Sequence, residues 1–213
     1  MGDKWKNYIH FFSLRNHGII NNKPRTEIIY IHSKLLIVDD TKVLIGSANI
    51  NDRSMLGDRD SEFGVIIEEE KHGNYKMNGN NNYKAAKYAV ELRKKLFAEH
   101  LGVDANDPIL DDPVNHKLFE FMISRAKNNT LIYHDLFKCY PDDNFINFDL
   151  LSKSRDINNE EWSDVLLIKY MIRKKHIVGH IVDFPLNFLK EEKLGKIVYN
   201  IYLKDLFPEK TFI

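Results

Sequence analysis

The sequence predicts an α/β fold. Short apolar runs rich in β-branched residues crowd the first third, at 7–14, 27–38, 42–45 and 62–67, and helical periodicity takes over from about residue 83. The 213 residues are 43% hydrophobic, enough for a real core in one large or two small domains. Acidic and basic residues balance at 31 each, so the chain lacks the cationic footprint of a nucleic-acid enzyme.

Taken in order, residues 7–14 read as the first strand and Arg15, Asn16, His17 and Gly18 as a loop after it. Residues 27–38 read as one continuous strand, Asp39 to Lys42 as a hairpin turn, and 42–45 as the returning strand. Asn51 or Asp52 caps a short helical turn over 51–56, and 62–67 form a further strand. Residues 68–82 are polar, rich in Gly and Asn and without periodicity, which predicts a surface loop. From 83 to 101, Ala86, Ala89, Val90, Leu92, Leu96, Phe97 and Leu101 recur at helical spacing, with Gly102 as the C-cap. The basic residues Lys84, Lys87, Arg93, Lys94 and Lys95 read as a solvated face, with contact to anionic lipid as the alternative.

Asp111, Asp112 and Pro113 mark a helix start that runs to about residue 127. Residues 130–139 are a short helix or strand, 140–144 a turn, 142–160 an irregular polar connection and 162–172 a helix. A strand over 176–184 is closed by Pro185, and 197–213 are apolar with aromatics. His176 and His180, four apart in a β-like stretch with no third ligand in view, read as structural, and no metal is expected. No run of about 18 apolar residues is present, so no membrane-spanning helix is expected. The single cysteine, Cys139, excludes an internal disulfide and fits a reducing, cytoplasmic compartment.

The chemistry concentrates in one stretch: His32, Lys34 and Asp39, then Gly46, Ser47 and Asn49, extended by Arg53, Ser54, Met55, Gly57, Arg59, Asp60 and Glu62. On a strand His32 and Lys34 share a face. Lys34 supplies charge to the non-bridging oxygens of a phosphodiester, while His32 can attack phosphorus or move a proton near neutral pH. The returning strand brings Gly46 back beside them for close backbone approach, and Ser47 and Asn49 offer short neutral donors. A catalytic imidazole needs its second nitrogen oriented, and Glu62, then Asp60, are the carboxylates at hand.

Each residue has an ordinary explanation when taken alone. A histidine on an apolar strand is commonly a core or surface residue, Lys34 a snorkelling edge lysine, and Glu62 a solvated strand end. The joint spacing overrides these for His32, Lys34 and Asn49, because six fixed positions coincide by chance only about once in 10⁸ starting points. Asp39 keeps a structural reading, and Ser47 stands between the two. His10, Arg15 and His17 read as strand-edge and loop residues without a chemical role, and Arg53 and Arg59 as structural ion pairs.

This stretch resembles the histidine–lysine–aspartate motif of the phospholipase D superfamily, and its extension resembles the C-terminal of the two copies in eukaryotic members. Two further segments are similar to that family: Tyr8-Ile9 with Phe11, Ser13, Leu14 and Arg15, and Gly179 with Val182, Phe184, Pro185, Phe188 and Leu189. The resemblance covers most of residues 7–195, with its motif core at 28–67 and a helical and tail region at 83–213. It implies that 1–213 is one catalytic half of a pseudo-twofold architecture, a central mixed β-sheet flanked by helices. The first similar segment lies in mid-protein in the family, so Met1 is expected to be internal to a longer chain.

The resemblance also implies a two-step displacement through a phosphohistidine, with no metal or other cofactor. Lys34 and Asn49 would bind phosphate, Asp39 would hold local structure away from it, and the acidic residue after the glycine–serine segment, best matched by Glu62, would orient the histidine. By family order His32 would be the acid/base. The nucleophile would come from a second motif, in a missing N-terminal region or a second copy. Three readings follow: a half-enzyme hydrolysing phosphatidylcholine to phosphatidic acid and choline, peripherally bound to membrane; a homodimeric phosphodiesterase or nuclease; and a silent remnant that binds phosphate or lipid.

Overall fold

A computed structural model describes residues 2–158 and 163–192. Strands crowd the first half and helices the second: β1 Phe12–Ile20, β2 Lys23–Ile29, β3 Lys34–Val38, β4 Lys42–Gly46, α1 Asp52–Met55, β5 Gly64–Glu68, β6 His72–Met77, β7 Asn80–Ala86, α2 Lys87–Leu101, α3 His116–Phe137, α4 Phe148–Asn158, α5 Asp164–Arg173 and β8 Ile181–Asp183. The sheet expected as one mixed layer is instead, among the described residues, two three-stranded antiparallel sheets, β2-β1-β8 and β3-β4-β5, and the hairpin β6-β7. For β1-β2, β3-β4 and β6-β7 the reason is connection length. Strands joined by two or three residues can only pair antiparallel, since a parallel crossover needs a dozen or more.

Three of those turns are built alike. Asn21-Asn22, Asp39-Asp40 and Asn78-Gly79 all have positive φ at both positions, the backbone twist that suits a tight hairpin. The Asn78-Gly79 turn corrects the surface loop expected over 68–82, where β6 and β7 pair instead. Likewise Arg15 to Gly18 are not a loop but the middle of β1, which reverses only at Asn21-Asn22, while Asn7 belongs to a 3₁₀ turn. The expected continuous strand 27–38 is two strands in different sheets: β2 follows β1 only to Ile29, and β3 follows β4 only from Lys34.

The described residues fall into two compact units, one of 2–136 and 163–184, the other of 137–158 and 185–192. In the first, α2 and α3 cover the β2-β1-β8 sheet through Ala98, Leu101, Leu110, Leu118, Ala126 and Ile181. Gly102 ends α2 in the left-handed conformation, as its sequence position predicts. The helix begins at Lys87 rather than 83, because Tyr83 to Ala86 are held in β7. A second cluster sets Val43, Ile37 and Ile67, one cross-strand row of β3-β4-β5, against Ala86, Ala89 and Leu92. The opposite row, Leu36, Leu44 and Ile66, is bare to solvent.

α3 starts at His116 rather than at Pro113 and continues through the stretch read as a separate element over 130–139. Asp112 is occupied elsewhere: its carboxylate accepts the backbone N–H groups of Asn78 and Gly79, pinning the β6-β7 turn. Arg93 does not belong to a solvated face. It is buried in α2, its guanidinium donating to both Asp40 oxygens at 2.7 Å and to the Leu110 carbonyl at 2.7 Å. In the second unit α4 replaces the irregular connection expected over 142–160. Asp143 holds Asn187 there, and Glu192 accepts from the Phe148 N–H. The strand expected over 176–184 is only β8, preceded by a 3₁₀ turn, and the tail at 197–213 lies outside the described residues.

Candidate active site

Lys34 opens β3 and pairs across the ladder with Gly46, so Ser47 follows directly beside it. Gly46 is required by space: a Cβ there would stand 2.8 Å from the Phe63 carbonyl oxygen of β5's leading edge. His32 lies just before β3 and not on it, in the irregular passage between the two sheets. The shared-face argument therefore gives way to a local one, in which the Lys34 ammonium donates to the His32 carbonyl at 2.7 Å. The His32 ring is exposed and stacks on Tyr30, with centroids 6.1 Å apart.

Glu62 is held by two hydroxyls, Ser47 on one oxygen and Ser54 on the other, each at 2.5 Å. These donors, Ser47 first, keep its carboxyl below the ordinary glutamate value, and the Lys34 charge adds to the effect. Ser54 also accepts the Asn49 N–H at 3.1 Å, so one hydroxyl ties the glycine–serine segment to Glu62. α1 makes this possible: Asn51, its N-cap, accepts the Ser54 N–H and sets that residue's position. Arg53, on the same turn, grips Asp60 with two donors at 2.9 and 3.1 Å, the structural ion pair expected of it.

Several assignments change on this geometry. Ser47's single hydroxyl proton goes to Glu62 and its N–H to the Phe63 carbonyl, so it anchors Glu62 and offers phosphate neither donor. Glu62 and Asp60 are engaged by the serines and by Arg53, and neither is hydrogen-bonded to the His32 ring. Asp39 sits in the β3-β4 turn, five residues along the strand from Lys34 and so roughly 16 Å away at about 3.3 Å per residue. There its carbonyl accepts the Tyr83 hydroxyl at 3.1 Å, and its neighbour Asp40 is held by Arg93. The Asn49 side chain is exposed.

Ser54, Asp40 and Arg93 were not singled out for these roles from sequence. Ser54 lies within the extended motif, which was its signal. The Asp40–Arg93 pair spans 53 positions and had none. An apolar groove of about 500 Å³ adjoins the site, lined by Ile45, Gly46, Ser47, Phe63, Val65 and Ile67. Among the described residues no group of three His, Cys, Asp or Glu is placed to hold a metal ion.

The family model described as Phospholipase D matches residues 11–144. Phospholipase D1 of Mus musculus is 45% identical over 200 residues, covering 91% of this chain and 18% of that protein. Phospholipase D2 of Bos taurus is 42% identical, over 91% of this chain and 21% of its own length. Phospholipase D zeta 1 of Arabidopsis thaliana is 37% identical, over 92% and 20%. The chain thus spans about a fifth of the length of these relatives.

Proposed function

The chain belongs to the phospholipase D family, and we propose that it forms one half of a site that hydrolyses phosphatidylcholine to phosphatidic acid and choline. The observation that carries this reading is the β3-β4 join, with Lys34 beside the glycine–serine segment and the His32 ring and Asn49 amide open to solvent. An ammonium and a neutral amide suit the non-bridging oxygens of a phosphodiester. The apolar groove beside Ser47 favours an acylated substrate over a nucleic acid, as does the even balance of charge.

In this reading a second motif, from an N-terminal region of a longer protein or from a second copy, supplies the nucleophilic imidazole. That imidazole forms a P–N bond as the P–O bond to choline breaks, and His32 gives its proton to the departing choline oxygen. His32 then takes a proton from water as the water oxygen attacks phosphorus and the P–N bond breaks. Proton transfer of this kind contributes about 10² to 10⁴ in rate. Lys34 and Asn49 hold the phosphate through both steps, and Glu62 holds the glycine–serine segment in place. No metal or other cofactor takes part. Contact with the membrane is peripheral and on its cytoplasmic face. Two observations support this: the lone Cys139 cannot form an internal disulfide, and no helix among the described residues is long and apolar enough to span a bilayer.

Choline release from phosphatidylcholine vesicles tests the reading, using the 213-residue chain and its His32→Ala variant. Activity abolished by the substitution is expected if two copies complete the site. If the chain alone is silent, a separately produced N-terminal half of a relative should restore turnover that depends on His32. Silence in both arrangements overturns the proposal in favour of a binding remnant.

A further inference from the structure

A second basic site lies in the first unit, outside the motif region. One face of α3 and the segment that follows α5 enclose a groove of about 790 Å³. Ser124, Arg125 and Asn128 line it from α3, one helical turn apart, and Arg173, Lys175 and His176 line it from the other side. Among the described residues, no carboxylate lines the groove. Arg125 lies over the Phe121 ring at 5.0 Å and, among the described residues, is not ion-paired. Burial pushes its pKa below the usual arginine value. Lys175 likewise has no acidic partner among the described residues, while Arg173 shares Asp135 with Lys169, at 3.7 Å. Asn128 donates to the His176 carbonyl at 3.2 Å and so ties the two walls together.

Arg125, partly buried, and Lys175, exposed, face one groove without counter-charge among the described residues, and repel one another unless an anion joins them. A guanidinium fork, an ammonium and two neutral polar groups on opposite walls match a group with three terminal oxygens better than one with two. We propose that this groove binds a phosphate monoester. Phosphatidic acid presents that group on a membrane, and glycerol 3-phosphate presents it in solution. Binding here does not depend on the function proposed above, because none of the groove residues belongs to the motif region.

The test uses the 213-residue chain with vesicles of phosphatidylcholine containing either phosphatidic acid or phosphatidylglycerol, a diester, and separately with glycerol 3-phosphate. Loss of two charge-assisted contacts in Arg125→Gln/Lys175→Gln should weaken phosphatidic acid binding by roughly tenfold or more. Lys87→Gln, on the exposed face of α2, should leave it unchanged. Glycerol 3-phosphate should shift the amide NMR signals of Ser124, Arg125 and Asn128 in the unaltered chain, a readout independent of how the variants fold. Shifts with glycerol 3-phosphate but no vesicle binding would assign the site to soluble monoesters; binding to phosphatidic acid alone would assign it to the membrane. Equal binding to phosphatidylglycerol, or an equal loss in Lys87→Gln, would overturn the proposal.

Discussion

Glu62 is the residue whose ionisation the site controls. Two serine hydroxyls donate to it and Lys34 stands nearby, so its pKa falls below the ordinary glutamate value of about 4.3. A lowered carboxylate pKa in the folded state favours folding at pH above that value. The contribution fades as pH drops through the folded pKa. Ser54→Ala removes one donor and should move the Glu62 titration midpoint, followed by carboxyl-carbon NMR, up towards the ordinary value. An unchanged midpoint would mean that Ser54 does not hold the carboxylate in solution. Ser47→Ala should raise the midpoint further, since Ser47 is the larger cause.

Between elements, the strongest tie is the Arg93–Asp40 pair, which fixes the β3-β4 turn to α2 and, through the Leu110 carbonyl, to the turn after it. Both side chains are nearly excluded from water, with 6% and 2% of their surface exposed. Removing one partner leaves an uncompensated buried charge, which costs about 3–5 kcal/mol. Arg93→Met is therefore expected to lower unfolding stability in urea by that amount. Lys87→Met, whose i,i+4 pairing with Glu91 is on the surface, should change it by less than about 0.5 kcal/mol. Comparable losses in the two variants would refute the assignment.

At the scale of the molecule, the row Leu36, Leu44 and Ile66 leaves a cross-strand apolar face in water, with Leu36 55% and Ile66 61% exposed. Contiguous apolar surface of this kind marks an interaction face or an aggregation hazard. The half-site reading proposed above, in which a second motif completes the site, calls for such a face. Leu36→Lys with Ile66→Lys should reduce self-association of the chain in analytical ultracentrifugation while helical circular dichroism is retained. Undiminished association in that variant would place the contact elsewhere.

The local pattern by itself determined the α/β class, the motif residues, the helix end at Gly102 and an ion-pairing role for Arg53. Each of these depends on neighbours within a few residues or on a fixed spacing. Asn78-Gly79 was legible too, as the strongest short hairpin signal, although the polar composition around it pointed to a loop. Only the tertiary structure decided where the strand over 27–38 breaks, since a strand ends where its partner does and the partners lie in different sheets. It alone moved Asp112 from a helix cap to the β6-β7 turn and buried Arg93 against Asp40. It also engaged Ser47 with Glu62, where the spacing had suggested phosphate. A polar side chain takes the nearest satisfying partner in space, and that distance is set by folding, not by position along the chain.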